Sequence, residues 1–259
     1  MMTHDPSYRR ILHKMGYYDY QQGLIYHHLN QEDGWNNHQQ NCRNFILKAI
    51  EHYRPEKITV LGSGWLLDLP LAEMAEKTGK VILIDIIHPP EVISQTSGMK
   101  NVRLIEQDIT GGLIEEVWKK AGNRTYLNRL SSLDEIIIPE YQSADDPGLV
   151  ISLNILTQLE SQPERLLKKK SRATEAEFRH FRGEVQKKHL GFLKKHKSVL
   201  ITDVAEFITD DNGKTSEKET IFTTMPEGKM KEEWIWDFDL LRSDFNKKSS
   251  VFKINALIL

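Results

Sequence analysis

The sequence predicts an α/β protein: a mostly parallel sheet of seven strands, helices on both faces, and a helical segment ahead of the first strand. Three observations predict it. Short apolar runs alternate with amphipathic helical runs between residues 58 and 207, the pattern of a parallel sheet built by helical crossovers. Two more strand-like runs close the chain with no long helix between them, which suits an antiparallel pair at one edge. Finally, the apolar runs end on glycine, aspartate or asparagine, so polar groups collect at the edge where open sheets of this kind bind ligands.

The elements follow in order. Residues 1–55 read as polar-aromatic helix. "HQQNCRNFILKAIEHY" sets Cys42, Phe45, Ile46, Ala49 and Ile50 on one face, and Pro55 stops that helix. The segment as a whole is too polar to add much core. "ITVL" (58–61) is the first strand. Leu66 to Lys77 reads as a helix with Pro70 in its first turn, where a missing N–H costs little. "VILID" (81–85) is a buried strand, "PEVISQTSG" a short helix or turn, "NVRLIEQD" (101–108) a third strand, and "GGLIEEVWKKAG" a helix. Residues 121–148 read as a connection with an insertion. "GLVISLN" (148–154) is the fourth strand. "ILTQLESQPERLLKKK" starts a helix broken at Pro163. "TEAEFRHFRGEVQKKHLGFLKKH" is a long helix with Phe178, Phe181, Val185, His189 and Phe192 on one face. "KSVLITDVAEF" is the fifth strand, "DDNGKTSEKE" a turn, and "EEWIWDFDL" and "SSVFKINALIL" the closing pair.

The bulk properties narrow the function classes. The chain has 259 residues, 39% hydrophobic and 28% charged, with a formal net charge of −2. That length supports one α/β domain with a small appendage. The charge points to neither nucleic acid nor membrane. Cys42 is the only cysteine, which leaves no disulfide frame and no thiolate metal cluster. The first twenty residues hold no apolar h-region, and no run reaches the length of a membrane span, so a reducing cytoplasm is the expected location.

The chemistry gathers at the strand ends. Gly62-Ser63-Gly64 follows the first strand, Asp85 ends the second, Asp108 the third, and Asn154 the fourth. A glycine turn lets backbone approach a ligand closely. An acid on the second strand can accept both hydroxyls of a ribose. An acid on the third can accept an exocyclic adenine amine. A polar residue after the fourth can reach the reacting end of the ligand.

On these residues the chain resembles the class I S-adenosylmethionine-dependent methyltransferase superfamily, over about residues 56–259, and is similar to uncharacterised bacterial members of it. The resemblance implies a Rossmann-like seven-stranded methyltransferase sheet, with residues 56–259 as the S-adenosylmethionine-binding domain and residues 1–55 as a helical extension or lid. The family's first motif, acid-x-Gly-x-Gly-x-Gly, reads here as Val60-Leu61-Gly62-Ser63-Gly64-Trp65-Leu66, so its opening acid and third glycine are replaced. The second and third motifs match at Asp85 and at Asp108 in "EQDIT", and the fourth falls at Asn154. The resemblance implies S-adenosylmethionine as cofactor, held by Gly62, Ser63, Gly64, Trp65, Asp85, Ile86, Asp108, Ile109 and Asn154. The missing third glycine suits it: dinucleotides need glycines so that a helix N-terminus can meet a pyrophosphate, and S-adenosylmethionine has no phosphate.

Asn154, His88 and His38 are the candidate catalytic residues, as polar groups that could position a methyl acceptor. Each has a plainer reading: Asn154 as a helix cap, His88 as a loop residue held extended by Pro89, His38 as part of a helix start. Asp85 and Asp108 could likewise be caps. The segment 164–197 carries twelve Lys/Arg against four Asp/Glu, either a solvated helix face or a nucleic-acid site. The alternating aromatics of "WIWDFD" read as core packing. No sequence motif supports a metal site or a serine nucleophile. The expected activity is methyl transfer to an acceptor the sequence does not name, a small molecule being favoured. The alternatives are a nucleotide-dependent oxidoreductase and a non-catalytic binding protein with the same sheet.

Overall fold

The computed structural model describes residues 3–242 and 248–259. Three helices open the chain: α1 (Pro6–Met15), α2 (Tyr17–Asn30) and α3 (Asn36–Tyr53). Asp5 caps α1 by accepting from the backbone of Ser7 and Tyr8. Gly16, at φ +84°, turns the chain directly into α2, a left-handed conformation that favours glycine. Helix α3 ends on Arg54 just before Pro55.

The sheet strands are β1 (Lys57–Leu61), β2 (Lys80–Asp85), β3 (Val102–Glu106), β4 (Leu149–Leu153), β5 (Ser198–Thr209), β6 (Thr215–Glu219), β7 (Met230–Asp239) and β8 (Ser249–Ile258). Their order is β3-β2-β1-β4-β5-β8-β7, with β6 paired to β5. The pairs from β3 to β5 are parallel, while β5–β8, β7–β8 and β5–β6 are antiparallel. The sheet therefore has eight strands, one more than predicted. The additional strand is β6, within the run read as a turn. All five of its residues are exposed, so it carries no apolar alternation for a sequence reading to detect. Strand β5 makes it possible: Ser198–Ile201 pairs with β4, and Ala205–Thr209 with β6.

Helices α4 (Leu71–Lys77), α5 (Pro90–Thr96), α6 (Leu113–Ala121), α7 (Ser161–Lys170) and α8 (Glu175–Leu193) complete the layers. Two of them start later than predicted. Leu66 sits at φ +64°, which no right-handed helix contains, so α4 starts only after Pro70. Pro163 does not break a helix. It lies in the first turn of α7, where its missing N–H is no loss. Thr174 and Glu177 form a reciprocal capping box that starts α8.

Alternate strand residues feed two cores. Val60, Leu83, Ile151 and Val199 face one side with α3, and Leu61, Ile84, Val150 and Leu200 face the other with α6 and α8. The expectation that residues 1–55 add little core is corrected by α3, whose Cys42, Phe45, Ile46 and Ala49 are wholly buried. Burial of Phe45 and Ile46 alone is worth about 1.5–3 kcal/mol each. Among the described residues no helix is long and apolar enough to cross a membrane.

Candidate functional site

The ends of β1, β2 and β4 open into a crevice of about 130 Å³, roofed by Tyr17, Tyr20, Gln21 and Leu24 of α2. Its floor is the glycine turn. Gly62 and Ser63 donate to the Ile84 carbonyl at 3.0 and 3.3 Å. A Cβ on Gly62 would come within 2.7 Å of Ile155, so no other residue fits. Gly64, at φ +51°, differs: nothing lies within 4 Å of the place a Cβ would take, and its backbone borders the crevice.

Asp85 ties the turn to β2. Its Oδ2 accepts from the Gly64 N–H at 2.7 Å, and its Oδ1 from the Ile86 N–H at 2.7 Å and from Gln21 Nε2 at 3.2 Å. Burial pushes its carboxyl up, opposed by the Gly64 N–H. The Gln21 amide thus occupies an acceptor that a ribose hydroxyl could use. The roof is held by Trp65 Nε1, which donates to the Gln21 carbonyl at 3.0 Å.

Asn154, at φ +49°, sits on the β4 side. Its amide lies 2.9 Å from both Asp68 Oδ2 and His38 Nε2. His38 is fully buried behind it, stacked on Trp236 at 3.9 Å. Trp234 Nε1 donates to His38 Nδ1 at 3.0 Å. The ligand atoms of His38, Cys42 and Asp68 lie within 4.8 Å of one another, close enough to share a metal ion. The chemistry of the donors opposes one. An indole only donates, so His38 Nδ1 is taken up as the acceptor for Trp234. Burial also pushes the Cys42 thiol well up, away from thiolate. The group is a hydrogen-bonded brace behind Asn154.

Among the described residues that line the crevice, six buried side-chain atoms have no partner: Gln21 Oε1, Ser63 Oγ, Asp68 Oδ1, Asn154 Oδ1, Gln162 Oε1 and Trp236 Nε1. Unsatisfied buried groups are costly, so a cluster of them around one space marks it as built for a polar ligand. Asp68 escaped the sequence reading. Its signal was an acid four residues past Gly64 in "GWLLDLP", hidden because that stretch read as helix.

Gly62, Ser63, Gly64, Trp65, Asp85, Ile86 and Asn154 therefore line one crevice. Asp108, Ile109, His88 and His38 do not line it. Asp108 Oδ1 accepts from Thr110 N and Oγ1 at 2.8 and 2.5 Å, and Thr110 in turn caps Leu113. Asp108 thus closes a turn on Thr110 ahead of α6, whose N-cap Gly112 has no side-chain cap, with Tyr8 of α1 close by: burial raises the Tyr8 phenol above its usual range, and the Asp108 charge adds to it. Ile109 is core. His88 turns back under β3, its Nε2 3.2 Å from the Ile105 carbonyl, because Pro89 holds the chain extended there. Trp35 faces the crevice, and Trp236 is more than core packing, since it lines this space and the larger one beside it.

That larger chamber, about 860 Å³, lies between α7, α8, β5, β6 and β7. It shares Tyr20, Leu24, Gln158 and Trp236 with the crevice. Tyr20 donates to Gln158 Oε1 at 3.3 Å in this partition. Five of the twelve basic residues in the run at 164–197 form ion pairs: Arg182 and Lys168 with Glu164, Arg179 with Glu219, Lys187 with Glu184 and Lys195 with Glu140.

No family model and no curated protein matches this chain. Solved structures resemble it weakly. A 1,6-didemethyltoxoflavin-N1-methyltransferase from Burkholderia thailandensis, with bound 1,6-didemethyltoxoflavin and S-adenosylhomocysteine, aligns over 100% of this chain and 92% of its own at 9% identity and TM-score 0.42. The N-methyltransferase NodS from Bradyrhizobium japonicum, with S-adenosylhomocysteine, aligns over 83% and 85% at 10% identity and TM-score 0.38. The methyltransferase domain of a bacterial CtHen1 aligns over 86% and 99% at 10% identity and TM-score 0.37. At these values the likeness establishes neither membership of a family nor function.

Proposed function

We propose that this protein is an S-adenosylmethionine-dependent methyltransferase acting on a small molecule, and that α1 and α2 form the lid of its cofactor site. The observation that carries the reading is the glycine turn. Its Gly64 N–H meets the Asp85 carboxylate and its backbone borders open space, yet no helix N-terminus points at it. Helix α4 starts only at Leu71 and has seven residues. A pyrophosphate would have no helix end to bind, which counts against a nucleotide-dependent oxidoreductase. A nucleoside joined to an amino acid needs only what is present. Asp85 is placed for the ribose hydroxyls. Asp68, with its unpartnered Oδ1, is placed for the α-ammonium and takes over the work of the acid that Val60 replaces. Asn154 braces that end.

At about 130 Å³ the crevice is below the 300–1,000 Å³ of ordinary ligand pockets. Binding therefore moves the roof, with Gln21 releasing Asp85. The bound cofactor would supply an already activated methyl group. The protein's part is to align the acceptor across the partition of Tyr20, Gln158 and Trp236, and to keep water out.

Calorimetric titration of the full-length protein with S-adenosylhomocysteine and with NADH tests this. S-adenosylhomocysteine should bind and NADH should not. Asp85→Ala should weaken S-adenosylhomocysteine about tenfold or more, since it removes a charge-assisted contact, and Asp108→Ala should weaken it less. Tighter binding of NADH, or an Asp85→Ala protein with wild-type affinity, overturns the reading.

A further inference from the structure

We infer that the chamber beside the crevice is the acceptor site and takes an organic amine, bound as its ammonium. The inference rests on the methyltransferase reading only for what happens to the amine; the site itself stands on the chamber's own groups.

Two carboxylates set its chemistry. Glu160 is 4% exposed, its Oε1 accepts from Gln186 Nε2 at 3.2 Å, and its Oε2 has no partner. Asp203 is 9% exposed and its Oδ1 accepts from Thr157 Oγ1 at 2.5 Å. Among the described residues neither forms an ion pair, although basic side chains are near. Those are taken: Lys168 and Arg182 by Glu164, Arg179 by Glu219, Lys218 by Glu206. Arg165 reaches the Gly16 turn between α1 and α2. Buried acids without cations are costly to keep, and a cationic ligand removes the cost. Burial pushes Glu160 up to about 8, opposed by the hydrogen bond from Gln186.

The second observation is the aromatic wall. Trp236, Phe238 and Phe252 line the same chamber. Trp236 and Phe238 meet edge to face with ring centroids 5.0 Å apart. Aromatic faces beside unpaired carboxylates are a recognition chemistry for organic cations. An anionic acceptor would be repelled by Glu160 and Asp203, and a neutral one would leave their charge without a counter-charge. Both carboxylates line the chamber together with Tyr20, Gln158 and Trp236 of the partition.

The transfer balances with these groups. The ammonium gives one proton to a chamber carboxylate. The freed nitrogen lone pair forms the new N–C bond, the C–S bond breaks with its pair going to sulfur, and the sulfonium becomes a neutral thioether.

The test is a fluorescence titration of the full-length protein with phenethylamine, 2-phenylethanol and phenylacetate, read through Trp236 and its neighbours. Phenethylamine should bind about tenfold or more tightly than 2-phenylethanol, the size of one charge-assisted contact. Glu160→Gln and Asp203→Asn should each reduce that preference, with circular dichroism spectra that match the wild type reporting that the variants are folded. Equal or tighter binding of 2-phenylethanol or phenylacetate overturns the inference. So does a wild-type protein that binds none of the three, or a preference that survives both substitutions. A parallel titration with S-adenosylhomocysteine separates the two readings. Cofactor binding without amine preference sinks only the acceptor, and amine preference without cofactor binding sinks only methyl transfer.

Discussion

The crevice and the chamber share four residues and differ in how their carboxylates are treated. In the crevice Asp85 accepts from two backbone N–H groups and one side-chain amide. In the chamber Glu160 accepts from one amide and leaves an oxygen bare. Both are pushed up by burial. The first acid is part of the backbone's own bonding and shapes the turn whether or not a ligand is present. The second contributes nothing comparable to the fold. In the narrow space Gln21 supplies a donor to Asp85 from inside the protein, while in the wide one Glu160 Oε2 has no donor.

Neutral amides at the two positions should therefore act with opposite sign. Asp85→Asn leaves one oxygen where two accept, and one backbone N–H then faces an NH₂ group. It should destabilise the fold by about 1–3 kcal/mol. Glu160→Gln should stabilise it at high pH. The sign follows from linkage. The folded pKa of about 8 lies above the ordinary 4.5, so the folded state holds the proton longer than the unfolded chain does. Below about pH 4.5 Glu160 costs nothing. Between there and pH 8 stability falls, by on the order of 5 kcal/mol across the window. Denaturation midpoints of wild type and Glu160→Gln should nearly coincide at pH 4.5 and diverge in favour of the variant by pH 8. A constant difference across that range breaks the contrast between the two acids.

A smaller effect concerns the turn that makes the crevice. Leu66 has a left-handed backbone, φ +64°, and its side chain is buried. The leucine holds core at the expense of strain, roughly 1–2 kcal/mol for a residue with a Cβ. Leu66→Ala loses packing and keeps the strain. Leu66→Gly loses slightly more packing and relieves it. The glycine variant should be the more stable by about 1 kcal/mol, reversing the order usual elsewhere. Urea denaturation of both proteins measures this, and an alanine variant at least as stable as the glycine one shows the turn to be unstrained.

These residues also mark what could be read from the sequence. Gly62, Gly64, Asp85 and Asn154 were legible because each ends a buried apolar run, and parallel strands bring their ends together. Strand β6 was not, because a fully exposed strand has no period. Asp68 was masked by a helical pattern that the backbone at Leu66 interrupts, a tertiary choice that propensity does not report. Gln21, Tyr20 and Glu160 act on the site through long-range packing of the arm and α7, with no local signature. His88 was misplaced because Pro89 and Pro90 set its backbone without fixing the direction in which the chain turns.

The smallest effect is the most direct probe of the crevice. Gln21 Nε2 holds Asp85 Oδ1 at 3.2 Å, so a ligand hydroxyl must displace it. Alanine there removes the competing donor. It keeps the carbonyl that Trp65 Nε1 holds, and it raises helix propensity within α2. A hydrogen bond of this kind is worth about 0.5–1.5 kcal/mol net, so Gln21→Ala should bind S-adenosylhomocysteine about two- to tenfold more tightly at unchanged or higher stability. If Gln21 instead swings over the ligand and becomes one of its contacts, the same variant binds more weakly. If affinity does not move, Gln21 and the ligand do not compete for Asp85, and the proposed ribose contact at Asp85 fails. Calorimetry on the wild type and the single variant distinguishes the three outcomes, because the direction of the change carries the answer.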